Sequence, residues 1–408
     1  SRNSQKAFML LTPGQYSIRS ACCIAGVSAY LTVFCFAAAQ AVGYTGTIQK
    51  QKRMVLFMKK FAFIGAGSFI FTRNLVRDLL SFPAFADCEL ALMDTDPERL
   101  ERIPAAVRKI NAAMGAHAKI TPTQSRAEAL SGADGVLCTV FNGGIDVWRY
   151  DIEIPMQFGV DINIGDTRSV SGIFRALRNI PLMLDICRDI EKYCPNAVFL
   201  NYTNPMSMLC KAMQTETNVE VTGLCHSVQV CSEKLLEKLG MEDKLEGRRE
   251  LIAGINHMGW LLELHDKDGN DLYPEIRRRA AEKNATEKHD DMVRFEYIKH
   301  LGYYCTESSE HNAEYNPLFI KSRYPEMIEK YNIPLDEYPR RCVEQIKGWE
   351  KEREDILKDG KVTHERSKEY ASYIMEAVVT GNPYKIGGNV LNTGLIDNLP
   401  SDACVEVP

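Results

Sequence analysis

The stretch Lys60–Leu80 constrains the fold of this chain more than any other. An apolar run, Phe61-Ala-Phe-Ile64, ends in Gly65-Ala-Gly67-Ser68, and Ile70–Leu80 then recurs with helical spacing. A parallel strand that enters a helix through a glycine turn presents backbone N–H groups and a helix N-terminus, the arrangement that receives a pyrophosphate. The third glycine of a full GxGxxG is missing, so Gly65, Gly67 and Ser68 need support from elsewhere. Support comes from a second apolar run, Cys88–Met93, which ends at Asp94, 27 residues past Gly67. An acid there accepts the ribose hydroxyls of NAD and repels the extra phosphate of NADP. Asp96, in front of Pro97, reads as a helix cap. A third run, Gly135–Val140, leads into Phe141-Asn142-Gly143-Gly144, where the backbone and Asn142 could approach the nicotinamide side of a dinucleotide, or form a plain loop. Alternating strands and helices of this kind predict a doubly wound parallel sheet.

Two further strands carry the chemistry. Ala197–Leu200 stops at Asn201-Tyr-Thr-Asn204-Pro205, and Val219–Leu224 delivers Cys225 and His226 side by side. Ligands of open α/β sheets sit beyond such strand ends. Cys225 alone would be a buried small hydrophobe, and His226 a core histidine bonded to a carbonyl. His257, in Ala253-Gly-Ile-Asn-His-Met-Gly-Trp260, changes that reading. A thiolate and an imidazole from separate loops can hold a divalent cation and leave positions open for substrate oxygens. No CxxC pair points to a structural zinc. Between the halves, Gly165-Asp166-Thr167-Arg168 precedes a segment in which Ile173, Leu177, Ile180, Leu184 and Ile190 predict one buried helical stripe. Asp166 is either that helix's cap or a contact for substrate hydroxyls, and Arg175 and Arg178 are expected to be solvated.

Composition limits the partners. The 408 residues suffice for two domains, and a net charge of −5 gives no reason to invoke nucleic acid or an anionic membrane. Thirteen scattered cysteines suit a reduced, cytoplasmic protein better than a disulfide framework. Residues 1–57 stand apart, because Ala21–Ala41 is almost uncharged and long enough to cross a bilayer or serve as a signal core. The sharp start at Met58-Lys59-Lys60 favours a non-native or signal-like leader over a true anchor, so membrane association is expected only if the leader is genuine.

Taken together, GAGSFIF, NYTNP, CHSVQ, GINHMGW, YYCTESSEHNAEYNP and EYPRRCVEQIKGWEKEREDI resemble glycoside hydrolase family 4 across residues 59–408. CHSVQ with TESSEHNAEY is most similar to its α-galactosidase branch, beside α-glucosidases, α-glucuronidases, α-galacturonidases and phospho-glycosidases. The resemblance implies a Rossmann-type, lactate/malate dehydrogenase-like α/β domain over 58–224 and an α+β catalytic and metal domain over 225–408. That second domain is expected to be truncated at its end, where relatives continue. It also implies NAD-dependent chemistry. NAD+ oxidises the sugar C3 hydroxyl, a base removes the acidified C2 proton, the glycosidic bond is eliminated, water adds, and the ketone is reduced again. Mn2+ or another divalent cation steadies the developing charge. By the same resemblance Cys225 and His257 are metal ligands, His226 is the acid for the leaving group, and Asn204 contacts the sugar hydroxyls. Tyr304 is the base, with Tyr303 as fallback. Glu307, Glu310 and His311 are expected to form a hydrogen-bonded helix start near the pocket. Val230-Cys231 and Ser169-Val170 depart from the branch pattern. The expected partner is a small α-galactoside, and the expected assembly a homodimer or homotetramer. The competing reading, a lactate/malate-type dehydrogenase, would need no metal.

Overall fold

The computed structural model describes residues 59–335, 338–359 and 365–408. The apolar leader lies outside these residues. Among them no helix is long and apolar enough to cross a membrane.

Six parallel strands form the first half of one sheet: β1 (Lys60–Ile64), β2 (Glu89–Met93), β3 (Lys119–Thr123), β4 (Gly135–Cys138), β5 (Val198–Asn201) and β6 (Val221–Leu224). Their order, β3-β2-β1-β4-β5-β6, is that of a dinucleotide-binding sheet, and it reverses direction between β1 and β4. Apart from the edge strand β3, the strands are mainly apolar because both faces are covered. Phe61 and Phe63 point into one core with Leu90, Leu92 and the helices Phe69–Leu80 and Pro97–Ala113. Ala62 and Ile64 point the opposite way, into a core with Val136, Phe199, Met183 and Ile186, as the two-residue period of a strand requires.

The same sheet continues antiparallel through β10 (Gly388–Leu391), β11 (Cys404–Val407), β7 (Arg249–Ile255), β8 (Met258–His265) and β9 (Tyr304–Cys305). The last two strands of the sequence therefore lie between β6 and β7. β7 and β8 form a hairpin whose two-residue turn is Asn256-His257.

The long helix Ser169–Tyr193 departs from the predicted stripe. Ile173 and Leu177 are 51% and 65% exposed, while Ala176, Met183, Ile186, Cys187 and Ile190 are buried. The buried face of its first half is polar, with Ser171, Arg175 and Asn179. That half covers the site instead of the apolar core. Arg175 and Arg178 are accordingly not solvated. Arg175 is buried and stacks on Phe141 and Trp148, and Arg178 makes two bonds to the Asp151 carboxylate at 3.1 and 2.7 Å.

Candidate active site

The glycine turn sits at the reversal point of the sheet. Gly65 has φ of 87°, and a Cβ there would lie 2.9 Å from the Thr139 carbonyl, so only glycine lets the ends of β1 and β4 approach this closely. Gly67 donates its N–H to Asp94 Oδ2 at 2.8 Å, and a Cβ on Gly67 would meet that oxygen at 2.5 Å. Asp94 is buried at the tip of β2 and accepts from Asp96 N through Oδ1. Asp96 caps the next helix by accepting from Glu98 N and Arg99 N. Ser68 stands at the N-cap of Phe69–Leu80, whose first turn has no side-chain cap, which leaves amide donors for an anion. Asn142 donates to Arg178 O at 3.1 Å. A bare helix start, two glycines and a buried acid at the neighbouring strand end fit a dinucleotide.

A cluster of metal-binding side chains lies beyond the end of β6. Cys225 follows β6 directly, is buried, and has Sγ 3.1 Å from Ser227 Oγ. His257, at φ of 65°, turns its ring in from the hairpin tip. Glu307, at φ of 67°, comes from the loop after β9, which Thr306 pins by bonding Gly259 through both backbone N–H and Oγ1. Two sets of three donors, each with all atoms within 4.8 Å of one another, share His257: Cys225/His257/Glu307 and Asp166/His257/His311. His257 Nε2 is 3.4 Å from Glu307 Oε2, and its Nδ1 is 2.9 Å from Tyr315 Oη. His311 lies between two carboxylates, Nδ1 3.3 Å from Glu307 and Nε2 3.4 Å from Asp166.

The electrostatics suit a cation. Burial, together with Glu406 and Glu307, pushes the Cys225 thiol far up, so a thiolate needs a positive partner. Burial pushes His257 down, toward the neutral imidazole that binds metals. Burial alone would suppress charge on His311, yet Glu307 and Asp166 raise it to about 9. For Asp166 burial is likewise outweighed, and His311, His257 and Arg175 hold it well below the usual carboxylate range. Glu406 on β11 reaches about 7 because it is buried, although Asn256 and Asn389 donate to it. The one thiol, two carboxyls and two imidazoles of the two donor groups are of mixed hardness, which fits a divalent transition metal.

Asp166 is not a helix cap, because Arg168 holds that place. It is aimed inward by Glu314, whose carboxylate accepts the N–H groups of Asn163, Ile164 and Gly165 at 2.8, 2.8 and 2.9 Å. His226 opens the helix His226–Lys238, is exposed, and faces Glu369 at 3.4 Å. A hydrogen bond to Glu369 raises its pKa, as an acid needs. Asn204 accepts from Asn179 through its backbone oxygen, while its Oδ1 is buried without a partner.

The tyrosine assignment does not survive. Tyr304 is wholly buried, its hydroxyl donates to Asp291 Oδ2 at 2.6 Å, and Arg294 covers its ring. Tyr303 is 39% exposed and packs edge-on against Tyr273. Neither faces the cluster, because β9 turns Tyr304 into the core. Glu307 and His311 belong to the cluster as well as to a helix start, where Ser308 Oγ accepts from His311 N. Tyr315, Glu369 and Glu406 were missed. For Tyr315 a signal existed, since it follows Glu307 and His311 within the same motif.

Comparison with known proteins agrees with this geometry. The family described as family 4 glycosyl hydrolase matches residues 60–241, and its C-terminal domain matches residues 252–408. An α-galactosidase of Bacillus subtilis (strain 168) is 54% identical over 351 residues, spanning 86% of this chain and 80% of its own. One from Rhizobium meliloti (strain 1021) is 37% identical over 86% of this chain and 72% of its own. The crystal structure of a putative glucosidase from Bacillus subtilis superposes with a TM-score of 0.75 at 26% identity, covering 86% of this chain and 83% of the other. A 6-phospho-α-glucosidase from gut microorganisms, solved in complex with NAD and Mn2+, shares the fold at a TM-score of 0.68 and 22% identity, covering 86% and 81%. With both halves matched in sequence and fold, the chain belongs to glycosyl hydrolase family 4.

Proposed function

We propose that the chain is an α-galactosidase that works with bound NAD+ and Mn2+. The observation that carries this reading is the meeting of Cys225 and His257 within one buried cluster, in a sheet whose reversal point carries a glycine turn. When bound, the dinucleotide supplies reversible hydride transfer at a sugar carbon and the cation supplies charge stabilisation at sugar oxygens. Gly65, Gly67, Ser68, Asp94 and Asn142 would receive the dinucleotide. Cys225 Sγ and His257 Nε2 would hold the cation. His226, whose protonated form the hydrogen bond to Glu369 favours, would donate the proton to the leaving oxygen. Asn204 Oδ1, buried and unpartnered, takes a sugar hydroxyl as donor, and Asp166 lies within reach of another.

Tyr315 takes the place of Tyr304 as base. With Nε2 on a cation, His257 Nδ1 carries the hydrogen and donates it to Tyr315 Oη at 2.9 Å. Burial pushes the phenol up, so this bond and the cation must offset burial before Oη can accept the C2 proton. Tyr315→Phe is expected to lower kcat about a hundredfold or more with NAD+ and Mn2+ binding retained; wild-type kcat would remove Tyr315 from the reaction.

Residues 58–224 serve as the nucleotide half and 225–408 as the metal and substrate half. The described cysteines are all free thiols, which suits a cytoplasmic enzyme, and we expect a homodimer or homotetramer. A uronide is the second reading, because Arg168, stacked 5.4 Å above Tyr315, brings a guanidinium to the cluster. The deciding assay compares p-nitrophenyl α-galactoside with the α-glucoside and α-uronides, with and without NAD+, Mn2+ and thiol reductant. Galactoside cleavage that needs all three additions is expected. Cleavage of a uronide alone would replace the substrate.

A further inference from the structure

Two sets of donors compete for one imidazole, and the hydrogen bonds decide between them. His257 has one nitrogen to give a cation. Its Nδ1 is taken by Tyr315 Oη at 2.9 Å, and its Nε2 faces Glu307 Oε2 at 3.4 Å. His311 is differently placed. Its Nδ1 lies 2.8 Å from Ser308 Oγ and 3.3 Å from Glu307 Oε1, and its Nε2 lies 3.4 Å from Asp166 Oδ1. An imidazole with a carboxylate at each nitrogen is arranged to donate twice, which leaves no lone pair for a metal.

We propose that Glu307 is the third protein ligand of the cation, beside Cys225 and His257, and that His311 and Asp166 position it from behind. The assignment rests on the reading of Cys225 and His257 as metal ligands and adds a residue to it. Backbone conformation supports it independently. His257 and Glu307 both have positive φ, 65° and 67°, although neither is glycine, a conformation that persists only where the surroundings hold it. Two strained residues whose side chains converge within hydrogen-bonding range are what a ligand pair demands. Charge supports it too. One thiolate and one carboxylate neutralise a divalent cation, while the neutral imidazole adds none. Glu307 offers Oε2 to the cation and Oε1 to His311, and the second bond fixes the rotation of the carboxylate. Three protein ligands still leave positions for two sugar oxygens.

The test is Mn2+ affinity, read from the electron paramagnetic resonance of the free ion, with NAD+ binding followed separately by fluorescence. Glu307→Gln keeps the size of the side chain and is expected to raise the Mn2+ Kd about tenfold or more, with NAD+ binding unchanged. Asp166→Asn is expected to raise it less. A Glu307→Gln Kd within twofold of wild type overturns the assignment, and so does an Asp166→Asn effect larger than that of Glu307→Gln. Cys225→Ser separates the levels of the argument. Loss of Mn2+ in Cys225→Ser with retention in Glu307→Gln sinks only the third ligand. Retention in both sinks the metal site itself. Should Glu307→Gln fail to fold, Glu307→Asp reads the same question through the Mn2+-induced rise in Tm, where a diminished rise supports the assignment and an undiminished one overturns it.

Discussion

Cys225→Ala is expected to lower turnover of an α-galactoside about ten-thousandfold, since several kcal/mol of charge stabilisation by a bound cation disappear with its ligand and each 1.4 kcal/mol is a factor of ten. NAD+ should still bind, because the cradle at Gly65, Gly67 and Asp94 lies on other strand ends. Stability should fall little by comparison, because the change removes a single sulfur just beyond the end of β6. The measurement is kcat beside NAD+ titration and thermal melting of the same preparation. Turnover within tenfold of wild type, with Mn2+ present, would leave this sulfur without a part in the chemistry.

The second large effect concerns folding. Asp291 is fully buried and paired with Arg294, and it also accepts from Tyr304 Oη at 2.6 Å and Ser309 Oγ at 2.8 Å. Asp291→Ala leaves the Arg294 guanidinium buried without its counter-charge, which costs about 3–5 kcal/mol. Equilibrium urea denaturation should show that loss. Ser309 also opens the helix that carries His311, so Mn2+ affinity should weaken in the folded fraction. A loss under 1 kcal/mol would mean that Arg294 finds water or another carboxylate.

The same network explains how the sequence misleads about Tyr304. Two adjacent tyrosines in front of a polar string resemble a catalytic pair, but on a strand successive side chains face opposite sides. One went to Asp291 and the other to the surface. The residue with the right surroundings is Tyr315, on the far side of a helical turn, and only packing against the His257 hairpin brings it in. Cys225 and His257 were legible because each follows or interrupts a clear apolar strand. β1, β2, β4, β5 and β6 were legible for the same reason. β3, Lys-Ile-Thr-Pro-Thr, was not, being half-exposed and carrying Lys119 and Pro122. β10 and β11 hide because they bury Asn389 and Glu406, polar residues joined by a hydrogen bond that break the apolar run. Asp166 could be read as polar and near a helix, but its direction depends on Glu314 gathering three amides from the preceding loop.

The insertion of β10 and β11 between β6 and β7 bears on how the enzyme is made. Asn256, beside His257, donates to Glu406 across 150 residues of chain, and Gly388 pairs with Leu224, next to Cys225. During synthesis from the N-terminus the six parallel strands are made first, but Ala371, Met375 and Val379 of their core and the wedge between β6 and β7 are translated much later. Until that wedge arrives, nascent chains expose two unsealed sheet edges, which makes late translation the interval when chaperones are needed most.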